Sequence, residues 1–112
     1  PELASVGLSE EAAKAAGHTI KVGKFPFKAN ARARCNGETE GLAKIVADAA
    51  SDKVLGIHIV GAGASELIAE AAIAMEYVAT SEDIARSVHA HPTLAEALKE
   101  AALAVAGRTL NI

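Results

Sequence analysis

The chain has 112 residues, of which 51% are hydrophobic, and a formal net charge of −3 at pH 7. This length suits one domain over residues 1–112, and the interspersed charges exclude the clustered basic patch that nucleic-acid binding requires. No apolar run approaches the roughly 18 residues of a membrane span, so no membrane association is expected. The single cysteine, Cys35, excludes an internal disulfide and favours a reducing, cytoplasmic compartment.

The first third of the chain is predicted to contain two strands and one short helix. Residues 1–8 form an apolar-leaning lead-in strand, and residues 18–25 form a strand because apolar residues alternate along them. Between the two, Ser9 is a good N-cap and Gly17 a good stop, which predicts a helix over residues 10–16.

The middle of the chain is predicted to hold a connection and then a hairpin. Residues 26–41 are interpreted as a loop-like connection, which includes the turn-forming Asn36 and Gly37. Two apolar segments follow at 42–49 and 54–60 with only a short turn between them. The spacing predicts a β-hairpin, so the two strands should pair antiparallel.

The second half of the chain has helical periodicity. Residues 65–79 carry an apolar stripe at helical spacing, Ser81 begins a short helix, and Pro92 or Thr93 begins a helix that runs to about Ala106. Strands followed by helices predict an α+β fold, in which an antiparallel sheet has its helices packed on one side. With 27 alanines and three aromatic residues, the helices should pack closely.

A second row of residues on the 65–79 helix has a mixed character. Glu66, Glu70, Ile73 and Tyr77 follow at spacings of i, i+4, i+7 and i+11. Ile73 and Tyr77 would be unusual on a merely solvated face, and apolar side chains on a polar row indicate a partner surface.

The stretch "HIVGAGASE" at residues 58–66 resembles a dinucleotide-binding fingerprint. Glu66 stands where the third glycine should be, and its charge would oppose a pyrophosphate at the helix start. A hairpin strand before it and helices after it also differ from the parallel unit that the fingerprint needs. The glycines are therefore interpreted as a tight strand-to-helix turn.

The remaining histidines and the cysteine suggest weaker hypotheses. His89 and His91 could be two metal ligands with His58 or Cys35 as a third, but metal sites need three or four convergent ligands at recognisable spacing. No metal site is therefore predicted. Cys35 is interpreted as an incidental thiol, and His18 as an exposed surface residue.

The segment "SVHAHPTLAEALKE", residues 87–100, has two interpretations. Thr93 and Glu96 fit a capping box, with Pro92 at the first helical position, and local sequence alone favours this interpretation. Alternatively, Glu96 accepts a hydrogen bond from the His91 ring, which orients the ring and presents its other nitrogen as a base. The spacing permits the acid–base pair but does not establish it.

Several segments resemble one enzyme family. "HAHPTLAEA" closely resembles the C-terminal signature of dihydrolipoamide dehydrogenase, in which serine is usual at the position of Ala95. Similar family segments match, in order, "PELASVGLSEEAA", "KVGKFPFKANARA", "VLGIHIVGAGASELIAEAAIAMEY" and "SEDIARSVHAHPTLAEALKEA". The resemblance covers nearly the whole chain. The ending "AGRTLNI" roughly resembles the family's ending, so the chain is expected to stop at the natural end.

What the chain resembles is only the C-terminal dimerisation (interface) domain of this pyridine nucleotide-disulfide oxidoreductase family. The resemblance implies that the FAD domain, the NAD domain and the redox cysteine pair lie upstream in the parent chain. FAD and NAD would then be cofactors of the whole enzyme, and this fragment alone is expected to bind neither and to be inactive. The absence of Met before Pro1 fits a piece of a longer chain or processing equally.

The resemblance also implies partners and a role for two residues. A second copy would complete a homodimer, and a lipoyl-bearing protein would be the substrate. His91 and Glu96 match the family's acid–base pair, which serves the dithiol site of the other subunit in the NAD-dependent oxidation of dihydrolipoamide. Alternatives are the equivalent domain of a glutathione-reductase-like flavoprotein, which "HAHPT" and "SEDIAR" disfavour, and a free-standing dimerisation module. Whether the gene continues upstream into a flavin-binding segment would separate them.

Overall fold

Four strands and five α-helices succeed one another in the computed structural model, which describes residues 1–108. Part of the family-like ending, from Thr109 on, lies outside the described residues. In chain order the elements are β1 (Glu2–Gly7), α1 (Glu10–Ala15), β2 (Ile20–Pro26), a 3-10 turn (Phe27–Ala29), α2 (Ala31–Asn36), β3 (Leu42–Asp48), β4 (Val54–Gly61), α3 (Ala64–Glu76), α4 (Ser81–Arg86) and α5 (Glu96–Val105).

The strands form one antiparallel sheet in the order β1-β4-β3-β2. The predicted hairpin of β3 and β4 is confirmed and forms the centre of the sheet, with Ile45 opposite Ile57 and a bulge between Val46 and Ala47. Strand alternation sends apolar residues to the core face at every second position, which is why the sequence predicts these strands well.

The main core lies between one face of the sheet and the two longer helices, α3 and α5. Phe25, Ile45, Ile57 and Ile59 from the sheet are in one buried cluster with small residues of both helices, namely Ala64, Ala71, Ala97, Ala101 and Ala102. Gly23 of β2 lets α5 approach closely, since a Cβ there would lie only 2.1 Å from the Ala101 carbonyl oxygen. The predicted antiparallel sheet, with the two longer helices packed on one side, is confirmed.

The short helix α1 packs in a second, smaller cluster. Ser9 caps this helix by accepting a hydrogen bond from the Ala12 N–H, and Ala13 packs with Val46 and Leu55. Val46 points away from its neighbour Ile45 in the pleat, so α1 covers part of the opposite face of the sheet. Across residues 1–108 the longest helix is too short, and not apolar enough, to cross a membrane.

The prediction of a loop over residues 26–41 is wrong at its centre, where α2 forms. Asn30 caps this helix through its side-chain oxygen, which accepts a hydrogen bond from the Ala33 N–H at 2.9 Å. Gly37 ends the helix in the left-handed conformation, with φ of 73°. A helix this short offers no apolar stripe to read, so its only sequence signals are these two caps.

The last helix begins later than predicted, at Glu96 rather than at Pro92 or Thr93. The Thr93 hydroxyl donates to the Ala90 carbonyl at 2.7 Å instead of capping a helix. Residues 92–95 therefore form bends and turns. With the residues before them, they make a nine-residue connection between α4 and α5, here called the histidine loop (residues 87–95).

Candidate active site

The histidine loop and the start of α5 bring His91 and Glu96 together. The His91 ring nitrogen Nδ1 lies 2.9 Å from Oε1 and 3.0 Å from Oε2 of Glu96. The His91 side chain is 71% exposed, whereas that of Glu96 is 21% exposed. The carboxylate is therefore held against the protein while the imidazole ring extends into solvent.

The two interpretations of this segment turn out to be compatible. Glu96 Oε1 also accepts a hydrogen bond from the Thr93 N–H at 3.0 Å, which is one half of a capping box. The other half is missing, because the Thr93 hydroxyl bonds to Ala90. One carboxylate therefore serves the backbone at the helix start and the ring of His91 at the same time.

This geometry suits acid–base chemistry at the second ring nitrogen. An ionised Glu96 only accepts hydrogen bonds, so His91 Nδ1 must donate, and in the neutral ring Nε2 is then the atom that accepts a proton. The carboxylate fixes the tautomer, orients the ring and stabilises the imidazolium that proton uptake creates. Both hydrogen bonds to Glu96 use Nδ1, so Nε2 is left for an external proton.

Side chains from other elements hold the histidine loop in place. Asn30 Nδ2 donates to the Thr93 carbonyl at 3.0 Å, and Arg32 Nε donates to the Pro92 carbonyl at 3.2 Å. From α5, Lys99 Nζ donates to the Ser87 carbonyl at 2.8 Å. Local sequence patterns do not reveal these three contacts, since each joins residues at least twelve apart.

A cavity of about 210 Å³ lies beside the pair. Its lining includes His91 and Glu96 together with Phe25, Asn30, Arg34 and Glu100. His91 and Glu96 therefore lie at the edge of a small cleft with both apolar and charged walls.

His89, the other histidine of the loop, turns the opposite way and does not join His91 as a ligand. Its Nε2 lies 2.6 Å from Glu70 Oε2, and its side chain is only 7% exposed. Among residues 1–108 the structure contains no cluster of three His, Cys, Asp or Glu side chains that could hold a metal ion.

The other singled-out side chains lie away from the pair. His58 bonds to the Ser5 hydroxyl and the Leu8 carbonyl, and Cys35 is exposed. His18 was expected to be an exposed surface residue, but it is half-buried with Nδ1 3.0 Å from Asp48 Oδ1. Hydrogen bonds from Ser51 and His18 hold the pKa of Asp48 far below its ordinary value.

The glycine turn at residues 61–63 is a strand-to-helix connection, as predicted. Its strand, β4, pairs antiparallel on both sides, unlike the parallel strand of a dinucleotide site. The first turn of α3 is also occupied by this chain's own carboxylate. The Ser65 N–H and hydroxyl both donate to Glu2 Oε1 at 2.9 Å, and these hydrogen bonds lower the pKa of Glu2.

The fold matches that of domains from solved flavoprotein disulfide reductases. Residues 1–102 match the family model described as pyridine nucleotide-disulphide oxidoreductase, dimerisation domain, and the chain belongs to this family.

Among characterised relatives, the similarity is to dihydrolipoyl dehydrogenases. The chain is 56% identical over its whole length to dihydrolipoyl dehydrogenase 3 of Pseudomonas putida, and 55% identical to the mitochondrial dihydrolipoyl dehydrogenase of Pisum sativum. It spans 24% and 22% of those proteins, respectively. Among solved structures, LpdA from Mycobacterium tuberculosis matches 91% of the chain with a TM-score of 0.84 and 30% identity, and the match spans 22% of that protein. The resemblance read from the sequence is confirmed.

The hydrogen bond from Thr93 to Glu96 makes a prediction about stability. Glu96→Ala should lower the free energy of unfolding by about 1 kcal/mol, because the Thr93 N–H at the helix start loses its acceptor. Glu96→Gln keeps a side-chain oxygen for that N–H and should cost less. Denaturant unfolding of both variants measures the difference, and equal losses would show that the carboxylate charge, rather than the hydrogen bond, stabilises α5.

Proposed function

We propose that this chain is the interface domain of a dihydrolipoyl dehydrogenase. In that enzyme it forms the homodimer contact and supplies His91 and Glu96 to the dithiol/disulfide site of the partner subunit. The observation that carries the proposal is the contact of 2.9 Å between His91 Nδ1 and Glu96 Oε1 at an exposed ring. The identity of 55–56% with dihydrolipoyl dehydrogenases supports the choice of substrate.

The chemistry assigned to this chain is a proton transfer. His91 Nε2 takes the proton of a dihydrolipoyl thiol, and the resulting thiolate attacks a disulfide sulfur of the whole enzyme. A mixed S–S bond forms as the enzyme's S–S bond breaks, and the displaced enzyme sulfur leaves as a thiolate. Glu96 stabilises the imidazolium during this step and keeps Nε2 directed outward.

The cofactors of the whole enzyme, FAD and NAD, would be bound outside this domain. Within residues 1–108, the glycine turn that resembles a phosphate-binding loop does not fit a nucleotide. Glu2 occupies the donors at the start of α3 there, and its carboxylate would repel a phosphate.

Exposed apolar side chains at the end of α3 support the proposal of a homodimer. Ile73 is 60% exposed and Tyr77 is 81% exposed, and Val78 beside them is also exposed. Large apolar side chains grouped in this way are costly in water and mark a partner surface. In a two-fold dimer the same surface meets its own copy, and the histidine loop, tied to α3 through Glu70, would lie near that contact.

In the whole enzyme, His91→Gln should lower the turnover of dihydrolipoamide by about 10²- to 10⁴-fold, the usual contribution of a general base. Flavin content should not change, because the ring lies on an exposed loop away from the core. Steady-state oxidation of dihydrolipoamide, with the flavin absorbance measured on the same sample, tests this. Glu96→Gln should retain more activity than His91→Gln if the carboxylate acts chiefly by orienting the ring. Full activity of His91→Gln would refute the proposed function.

The isolated 112-residue chain should be colourless and should not oxidise dihydrolipoamide. It carries only one cysteine, so it has no cysteine pair to cycle between dithiol and disulfide. An absorption spectrum of the purified chain and an assay with NAD test the expectation. Bound flavin, or turnover by the chain alone, would contradict it.

The isolated chain should also form a homodimer at high micromolar concentration, through α3 and the histidine loop. Tyr77→Asp should shift the chain to monomer, because two-fold symmetry places a new carboxylate on each side of an apolar contact. Sedimentation measures the association.

Ala12→Asp is the matched control for the dimer. It adds the same charge at an exposed position on α1, on the opposite face of the sheet, and should leave the dimer intact. A monomer for the unsubstituted chain, or a dimer that survives Tyr77→Asp, would contradict this contact surface.

A further inference from the structure

The histidine loop carries two histidines with opposite environments. His91 is 71% exposed, whereas His89, two residues earlier, is 7% exposed. The proposed acid–base chemistry uses His91 and leaves His89 without a role. Enclosing a polar ring is unfavourable unless its nitrogens are satisfied, so the contacts of His89 indicate what it contributes.

Both ring nitrogens of His89 face acceptors. Nδ1 lies 3.0 Å from the Ser87 carbonyl oxygen, and Nε2 lies 2.6 Å from Glu70 Oε2. A carboxylate only accepts hydrogen bonds, so Nε2 is the donor in the contact with Glu70. The Glu70 contact is then a charge-assisted hydrogen bond, which is among the stronger side-chain interactions.

The groups around His89 tie the histidine loop to two helices. Glu70 belongs to α3, one turn before the exposed Ile73. Lys99 of α5 donates to the same Ser87 carbonyl that His89 uses. The backbone leading to His91 is therefore attached to α3 by the His89–Glu70 hydrogen bond and to α5 by Lys99.

We propose that Glu70 and His89 are positioning residues for the acid–base pair, an inference that rests on the proposed function. The hydrogen bond between His89 and Glu70 fixes the loop between Ser87 and His91, so that the His91 ring meets Glu96 and directs Nε2 toward the partner's dithiol. Neither residue exchanges a proton with substrate. Since a displacement of 1 Å in a reacting group costs about 100-fold in rate, a single anchor of this kind can control turnover.

The test is a double-mutant cycle in the whole enzyme. Glu70→Gln keeps the shape of the side chain and removes its charge, and His89→Gln removes the imidazole ring. Each should lower dihydrolipoamide turnover by about 10- to 100-fold, with flavin content unchanged and the dimer intact by sedimentation. In the His91→Gln background, neither substitution should cause any further loss, because both act through His91.

Glu11→Gln is the matched control, since Glu11 is an exposed glutamate on α1, away from the α3 surface. It should leave turnover at the level of the unsubstituted enzyme. Unchanged turnover in Glu70→Gln and His89→Gln would overturn the positioning role, as would an equal further loss in the His91→Gln background. Dissociation of the dimer would also overturn it, because the loss would then come from assembly. Full activity of His91→Gln would instead refute the proposed function on which this inference depends.

Discussion

The close contact of helix α5 with the sheet is the constraint on which the site depends. A side chain at Gly23 would collide with the backbone of α5, and the helix presents Ala97, Ala101 and Ala102 to the core. Small residues on both sides let dispersion contacts form over a short distance, without voids. The helix is consequently fixed in position along the sheet, and the direction of Glu96 at its first residue is fixed with it.

Because Glu96 is the first residue of this fixed helix, its carboxylate can orient the imidazole ring of His91. A backbone N–H of a loop also requires an acceptor. Glu96 Oε1 accepts from the Thr93 N–H, in the loop that leads into α5, and this limits the carboxylate to one rotamer facing the loop. His91 then finds its acceptor in a defined place, although its own side chain is largely exposed and would otherwise sample several rotamers. The Thr93 N–H and the His91 ring therefore share one acceptor atom, Glu96 Oε1.

The sequence predicts the sheet well because alternation has a fixed period. Residues 42–49 and 54–60 alternate or are continuously apolar, and a short turn allows only antiparallel pairing. The sequence predicts α2 poorly because the segment "ARARCN" has no bulky apolar face. Asn30 as cap and Gly37 as stop were the available signals. The predicted start of α5 is wrong because the Thr93 side chain, although typical of an N-cap, donates its hydrogen bond to the Ala90 carbonyl.

In the candidate site, too, contacts between residues close in sequence are predictable, and contacts between distant residues are not. His91 and Glu96 are five residues apart, so their contact is accessible to a local argument and to a motif. The contact between Glu70 and His89 joins residues 19 apart, and that between His18 and Asp48 joins residues 30 apart. Such pairs depend on how α3 meets the histidine loop, or how β2 meets β3. Local spacing carries no information about either arrangement.

The strand order also has a kinetic consequence. The central hairpin closes a turn of only residues 49–53, whereas β1 must pair with β4 across most of the first sixty residues, with Glu2 opposite Gly61. The entropy of loop closure grows with the length of chain enclosed, so the hairpin is the least costly pairing to form and β1 among the most costly. We therefore expect the hairpin to act as the template on which the edge strand is added late. An α-helical start is less favoured, because the helices are short and draw their stability from the sheet on which they pack.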